Sequence, residues 1–289
     1  MEEILRKYEV EWEDTDLKKI IQQIIVKHDH LYNITVLKKL FSLLDLTSLH
    51  TDDNDKSIIN VVDSINDFHI NNPDMKNVAA ICVYPDFVAL VKKYLQQPEV
   101  KIAAVAGGFP HSHTYIQVKI EEIRWLFEDG GVDEIDTVLP MTYFFNKQYD
   151  QAKKDISIMK QALGKRHLKV ILETGLHKSL KDIIAASLIS MEGGADFIKT
   201  STGKITPAAT KEAVYAMCFA IKAFYKATDV KVGIKPAGGI SSPVQAVEYY
   251  SIVKEILGHE WLTPDLFRIG ASKLANNLLL EIKSLEKKK

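Results

Sequence analysis

The segment Asp196-Phe-Ile-Lys-Thr-Ser-Thr-Gly-Lys204 begins as an apolar strand, yet its fourth residue is Lys199, with hydroxyls, a glycine and Lys204 behind it. A second lysine, Lys235, stands in a similar run, Val232-Gly-Ile-Lys-Pro-Ala-Gly-Gly239. Strand side chains alternate between two faces. Ile198 takes the apolar outer face in the first run, and Val232 and Ile234 take it in the second. Both lysines therefore point inward, and Gly233 leaves space beneath Lys235. Two ammonium groups in one dry site repel each other, and desolvation disfavours each charge. The neutral amine so favoured is a nucleophile for a carbonyl carbon, and the product is a Schiff base. In the competing arrangement each lysine is paired with a carboxylate, such as Asp136 or Asp45.

Three glycine-bearing runs offer a second chemistry. Thr202-Gly203-Lys204, Gly238-Gly239 and Gly270-Ala-Ser272 each follow an apolar run. Glycine lets backbone N–H groups come close to an anion, and a helix N-terminus adds to the attraction. Lys204 can supply charge and Ser272 a hydroxyl, so the three runs predict a phosphate site, with ordinary turns and caps as the alternative. The nucleotide P-loop is excluded, because Ile205 follows Gly203-Lys204 and no glycine stands five residues before Gly203. His28-x-His30 and His111-x-His113 have the spacing of paired metal ligands, but the first lies in the helical N-terminus and the second, in a loop after GGFP, has no third ligand nearby. They read as surface or hydrogen-bonding histidines, and Glu173 reads as structural.

These residues need elements to hold them. Apolar runs at 44–49, 78–84, 102–107, 134–139, 169–174, 196–201, 231–236 and 267–272 alternate with amphipathic stretches such as YIQVKIEEIRWLFEDGG and PVQAVEYYSIVKEILG. Strands alternating with helices predict parallel pairing with right-handed crossovers. Eight such units predict an α/β fold, a (β/α)8 TIM barrel. The alternative is a doubly wound open sheet, which usually carries a glycine-rich turn after its first strand; LDLTSLHTDDND has no glycine. The barrel domain is expected over 41–289. Residues 1–40 form a helical extension packed on it, since Leu17, Ile20, Ile21, Ile24 and Ile25 follow helical spacing. EDGGVDEID (128–136) and MEGGADFIK (191–199) echo each other as helix end, double glycine and strand, which predicts Asp136 and Lys199 at one height.

Bulk properties narrow the partners. The 289 residues are 46% apolar with a net charge of -1, which argues for a packed core and against nucleic acid. Cys82 and Cys218 read as buried thiols in a reducing compartment. The acidic N-terminus is unlike a targeting signal and no apolar run is long enough for a membrane helix, so a cytoplasmic protein without membrane contact is expected. Asn33-Ile-Thr35 matches a glycosylation acceptor, which means little without export.

LLDLTSLH, AAICVYP, GGFPH, EIDTVLP, KVILETG, DFIKTSTGK, GIKPAGGI and FRIGAS, in this order over 41–280, resemble the motifs of the deoxyribose-phosphate aldolase family. The resemblance implies a class I aldolase, without metal or other cofactor, that reversibly cleaves 2-deoxy-D-ribose 5-phosphate to acetaldehyde and D-glyceraldehyde 3-phosphate. By motif, Lys199 is the Schiff-base nucleophile, Lys235 the lysine that tunes it, and Asp136 the carboxylate that handles protons. Asp45 and Thr47 look like supporting residues, and Cys82 a wall position. Gly203, Lys204, Gly238, Gly239, Gly270 and Ser272 match phosphate-contacting positions. Two departures stand out. Ser241 replaces an arginine common after PAGGI, and Lys273 replaces a serine after GAS, so Lys273 is expected to restore the charge missing at 241. Some relatives carry a tyrosine in a flexible tail; this sequence ends SLEKKK. The only partner implied is a small phosphosugar, with homo-oligomers common among such barrels. Another Schiff-base aldolase, transaldolase-like or with a different acceptor, and a non-catalytic phosphosugar-binding barrel are the competing functions.

Overall fold

The structure, a computed structural model, describes residues 1–12 and 16–288. Eight short strands form its centre: β1 Leu44–Thr47, β2 Ala80–Val83, β3 Lys101–Ala106, β4 Glu134–Val138, β5 His167–Ile171, β6 Phe197–Lys199, β7 Gly233–Lys235 and β8 Ile269–Ala271. They pair in parallel in the order β7-β6-β5-β4-β3-β2-β1-β8. Parallel bridges from Ile234 to Phe267 and from Ala237 to Gly270 join β7 to β8 and close the ring. The fold is a (β/α)8 barrel, and the open-sheet alternative is excluded.

Three helices precede the barrel: α1 Glu2–Lys7, α2 Leu17–Lys27 and α3 Ile34–Phe41. The outer layer then follows chain order. After β1 come α4 Asp55–Asn66 and the short α5 Phe68–Asn71; α6 Val88–Tyr94 and α7 Ile116–Trp125 follow β2 and β3. After β4 come α8 Met141–Phe145 and α9 Tyr149–Leu163. The last four are α10 Leu180–Glu192, α11 Lys211–Thr228, α12 Pro243–Leu257 and α13 Leu274–Glu286.

Local sequence accounts for many of the helix ends. Asn54 with Ser57, Ser179 with Asp182, and Ser242 with Gln245 form capping boxes for α4, α10 and α12. The echoed double glycines end their helices in the left-handed region, with φ 72° at Gly131 and 94° at Gly194. One apolar core lies between strands and helices. A second, smaller cluster fills one side of the barrel interior: Leu49, Ala80, Cys82, Ala103 and Val105, with Tyr84 and Phe109 against it. The other side, lined by β4 to β8 with Asp45 of β1, carries the charges described below. Phe197 occupies the space that Gly233 was expected to leave open; a Cβ at Gly233 would lie 2.3 Å from its ring.

The first helices lie on the later barrel helices: α1 on α10, α2 on α11 and α12, α3 on α12 and α13. The Tyr8 hydroxyl donates to Glu192 at 2.9 Å, and its ring meets Phe224 at 5.5 Å. Lys27 and His28 both bond to Glu255 at 2.7 Å, so His28 is a hydrogen-bonding histidine. No described helix is long and apolar enough to cross a membrane.

Candidate active site

Asp136 lies at the centre of the barrel, fully buried on β4. Lys199 Nζ and Lys235 Nζ each donate to its Oδ2 at 2.7 Å, and Lys169 Nζ donates to its Oδ1 at 3.0 Å. Pairing sets Lys199 directly beside Lys235, as strand alternation predicts. The echo of the two double-glycine motifs does bring Asp136 and Lys199 together, but by side-chain reach: in the ladder Asp136 is level with Lys169, and Lys169 with Phe197.

A second layer of charge lies around this centre. Lys235 Nζ is 2.5 Å from Asp45 Oδ2, an ionic contact rather than a formal hydrogen bond. Arg268 Nη1 donates to Asp45 Oδ1 at 2.6 Å, and its Nη2 donates to Glu134 Oε1 at 2.9 Å. Glu134 Oε2 is 2.5 Å from Lys169 Nζ. Lys169, Lys199, Lys235 and Arg268 thus face Asp45, Glu134 and Asp136, four cations against three carboxylates.

The electrostatics correct one expectation. Burial pulls Lys235 down, but Asp136 and Asp45 outweigh it, and its pKa is raised rather than lowered. Burial would raise the Asp136 carboxyl, but Lys169, Lys199 and Lys235 hold it well below its ordinary value. Asp45 is lowered in the same way, with burial opposed by Lys235 and Arg268. The two arrangements weighed from sequence therefore coexist: the lysines share one site, and each is paired with a carboxylate. With four cations and three carboxylates, releasing one proton leaves the cluster balanced.

Access singles out one amine. Lys235 and Lys169 are wholly enclosed, whereas Lys199 lines a cleft of about 400 Å³ at the C-terminal mouth of the barrel. Thr47, Gly203, Lys204, Gly238, Gly239, Gly270, Ser272 and Lys273 line the same cleft, together with His50 and Ser241. Cys82 lies under the mouth in the apolar cluster, its thiol pushed up chiefly by burial and next by Asp136.

The backbone around the cleft is shaped by its glycines. Gly203 and Gly238 have φ of 81° and 89°, and a Cβ on Gly238 would lie 2.7 Å from Ala208 Cβ and 3.3 Å from Gly203 Cα. Among the described residues, no acceptor is found for the N–H groups of Gly203, Gly238, Gly239 or Ser272. The N-terminus of α13 has no side-chain cap, although the chain enters it through Ser272 and Lys273. Lys204 spans the mouth: its Nζ donates to Leu49 O at 2.6 Å and lies 5.9 Å from the Tyr84 ring centroid. Unclaimed N–H groups, an uncapped helix and two lysines suit a dianion.

Sequence reasoning missed Lys169, Glu134 and Arg268, all buried. A signal was present: each is a charged residue in an otherwise apolar run, Glu134 at the parity of Asp136 and Arg268 at that of Gly270. Glu173 bonds to Thr202 and to no lysine. Among the described residues, no group of three or more His, Cys, Asp and Glu is arranged to hold a metal, and His113 contacts Thr142 at 3.3 Å.

Comparison with known proteins agrees with this geometry. A sequence model of the DeoC/LacD family aldolases matches residues 39–254. The deoxyribose-phosphate aldolase of Mus musculus is 39% identical over 257 residues, 85% of this chain and 80% of that protein. That of Homo sapiens is 38% identical over the same shares. Among solved structures, a deoxyribose phosphate aldolase from Aeropyrum pernix, described as tetrameric, has a TM-score of 0.68 at 24% identity and covers 94% of this chain and 100% of that one. "QR15, an Aldolase" has a TM-score of 0.70 at 24% identity, covering 86% and 99%. The family match runs from before β1 to past β7 and takes in Asp136 and both lysines of the shared pair, so the chain belongs to the DeoC/LacD family of aldolases.

Proposed function

We propose that this chain is a deoxyribose-phosphate aldolase, cleaving 2-deoxy-D-ribose 5-phosphate to acetaldehyde and D-glyceraldehyde 3-phosphate through a Schiff base on Lys199. The observation that carries the reading is that Lys199, alone of three lysines bonded to Asp136, reaches the cleft. Its ammonium donates to a carboxylate, and as a neutral amine it would leave three cations against three carboxylates in the cluster.

The neutral Lys199 amine adds to the C1 aldehyde of the open-chain sugar and loses water, forming an iminium ion. A base takes the proton of the C3 hydroxyl, the C2–C3 bond breaks, and its electrons pass into an enamine. Glyceraldehyde 3-phosphate leaves. The enamine is protonated at C2, and water hydrolyses the resulting imine to free acetaldehyde and Lys199. Asp136 and Lys235 carry the protons, with water reaching them through the cleft. Gly203, Lys204, Gly238, Gly239, Gly270, Ser272 and Lys273 grip the 5-phosphate. That grip is remote from the breaking bond, so its binding energy positions the reacting carbons. Thr47, whose hydroxyl donates to Asp45 O at 2.8 Å, and Asp45 hold the lysines in place, and Cys82 packs behind them. A homo-oligomer is the assembly this reading favours, in line with the tetrameric relative.

Borohydride trapping tests the reading. Mixed with 2-deoxyribose 5-phosphate and borohydride in the presence of a chelator, the protein should gain a stable adduct on the Lys199 peptide, read by mass spectrometry. Absence of an adduct from both the sugar phosphate and acetaldehyde overturns it.

A further inference from the structure

Glu173 is a buried carboxylate that the proposed chemistry does not use. It follows β5, is 2% exposed, and has no cation within ion-pair distance among the described residues. An enclosed carboxylate without a countercharge is costly unless hydrogen bonds replace its water. Both of its oxygens bond to one residue. Oε1 accepts the Thr202 backbone N–H at 3.2 Å, and Oε2 accepts the Thr202 hydroxyl at 2.5 Å. Its backbone is left-handed, φ 50°, a conformation that a non-glycine residue keeps only where its surroundings demand it.

The bond to the hydroxyl fixes a direction. An ionised carboxylate can only accept, so the single Thr202 proton is committed to Glu173. A lone pair of Oγ1 is then left to accept the Lys204 N–H at 3.1 Å. Thr202 and Lys204 are thereby tied on either side of Gly203, whose N–H is unclaimed among the described residues and whose backbone faces Gly238. The next turn adds to the support. Thr174 N–H donates to Thr200 O at 2.9 Å, and a Cβ on Gly175 would lie 2.1 Å from Pro207 O. The loop after β5 is thus packed directly on the loop after β6. Glu173 itself lines a different cleft, beside Met141 and Leu176, whereas Thr202 lines the one with Lys199. The negative charge is held behind the loop, away from the anion site.

We infer that Glu173 is a positioning residue for phosphate recognition, which through Thr202 sets the Gly203-Lys204 turn to receive the phosphate monoester of the substrate. The inference rests on the aldolase reading for its substrate but not for its anion. In Glu173→Gln an NH2 group replaces one acceptor oxygen, so the amide cannot accept from both Thr202 donors, and Oγ1 loses its fixed direction. Such charge-assisted bonds are worth about 1.5–3 kcal/mol, roughly 10- to 100-fold in binding.

The test is steady-state kinetics on 2-deoxyribose 5-phosphate and on unphosphorylated 2-deoxyribose, with inorganic phosphate titrated calorimetrically as an independent probe. Glu173→Gln should raise KM for the phosphorylated sugar at least about tenfold and weaken phosphate binding by a similar factor, with kcat falling less than about threefold. KM for the unphosphorylated sugar should stay within about twofold. Thr202→Val should reproduce the loss, Thr202→Ser should bind phosphate more tightly than Thr202→Val, and Glu173→Gln/Thr202→Val should be no weaker than either single variant. Equal losses on both sugars, or a fall in kcat at constant KM, would make Glu173 merely a support of the barrel and overturn the inference. If the wild type turns over neither sugar, the aldolase reading fails while the phosphate titrations still decide the role of Glu173. If Glu173→Gln does not fold, the two Thr202 variants decide it.

Discussion

At the scale of the residue, one carboxylate serves three amines, and those amines are not equivalent. Removing Lys235 takes a buried partner from two carboxylates at once, leaving Asp45 to Arg268 and Asp136 to Lys169 and Lys199. Breaking such a pair typically costs about 3–5 kcal/mol. Removing Lys199 is different, because it pairs with Asp136 alone, which Lys169 and Lys235 still hold, and its amine borders the cleft. We therefore expect Lys199→Met to lose at least about 10⁴-fold in kcat and all borohydride adduct. Its melting temperature should stay within about 2 °C of wild type. Lys235→Met should lose both activity and stability, the latter by chemical denaturation. Equal destabilisation of the two variants would contradict the idea that Lys199 is the surplus cation.

At the scale of the element, the three loops after β6, β7 and β8 line one cleft, proposed above to hold the phosphate, and each can be tested apart from the amines. Gly238→Ala combines a φ of 89° with a Cβ 2.7 Å from Ala208 Cβ. It should cost about 1–3 kcal/mol of stability and raise KM for the phosphorylated sugar. Lys273 is exposed at the uncapped start of α13, in the same cleft as Ser241. Lys273→Ser should raise that KM about three- to tenfold, a charge at a helix start being a modest contributor; an unchanged KM would remove Lys273 from the site. That these runs meet at one cleft was legible in the sequence because glycine runs behind apolar strands are a local signal. The strands were legible too, although 196–201 and 231–236 shrink to Phe197–Lys199 and Gly233–Lys235, where tertiary pairing rather than apolar content sets the ends. Lys169, Glu134 and Arg268 were not recognised, because their meaning lies in partners on other strands. Alternation gives a side chain's direction but not its neighbour: Lys169 meets Asp136 across a ladder, and Arg268 meets Asp45 across 223 residues. For the same reason the raised Lys235 was misjudged, since repulsion from Lys199 was visible in sequence and the two carboxylates were not fully counted.

At the scale of the whole molecule, the charged interior makes stability depend on pH at both extremes and little between them. Asp45 and Asp136 are depressed below their ordinary 3.8, and Glu134 below 4.5, burial being outweighed by the lysines and Arg268. A group whose folded pKa is depressed binds fewer protons folded than unfolded, so its contribution is complete above the unfolded value. That contribution is lost as pH falls through the folded value. Lys169 and Lys235 are raised above 10.5 by Asp136 and its neighbouring carboxylates, against burial. Theirs is complete below 10.5 and lost as pH rises through the folded value. The melting temperature should therefore form a plateau between about pH 5 and 10 and fall on both sides. The acid limb should steepen below about pH 4, as the protons taken up on unfolding reach three carboxylates together. Calorimetric scans from pH 3 to 11 check this. A steady decline between pH 7 and 5 would instead place control in His177, whose imidazole is held below its ordinary 6.5 by burial, so that its contribution is lost as pH falls. His177→Gln would then abolish the decline, whereas under the cluster account it leaves the plateau in place.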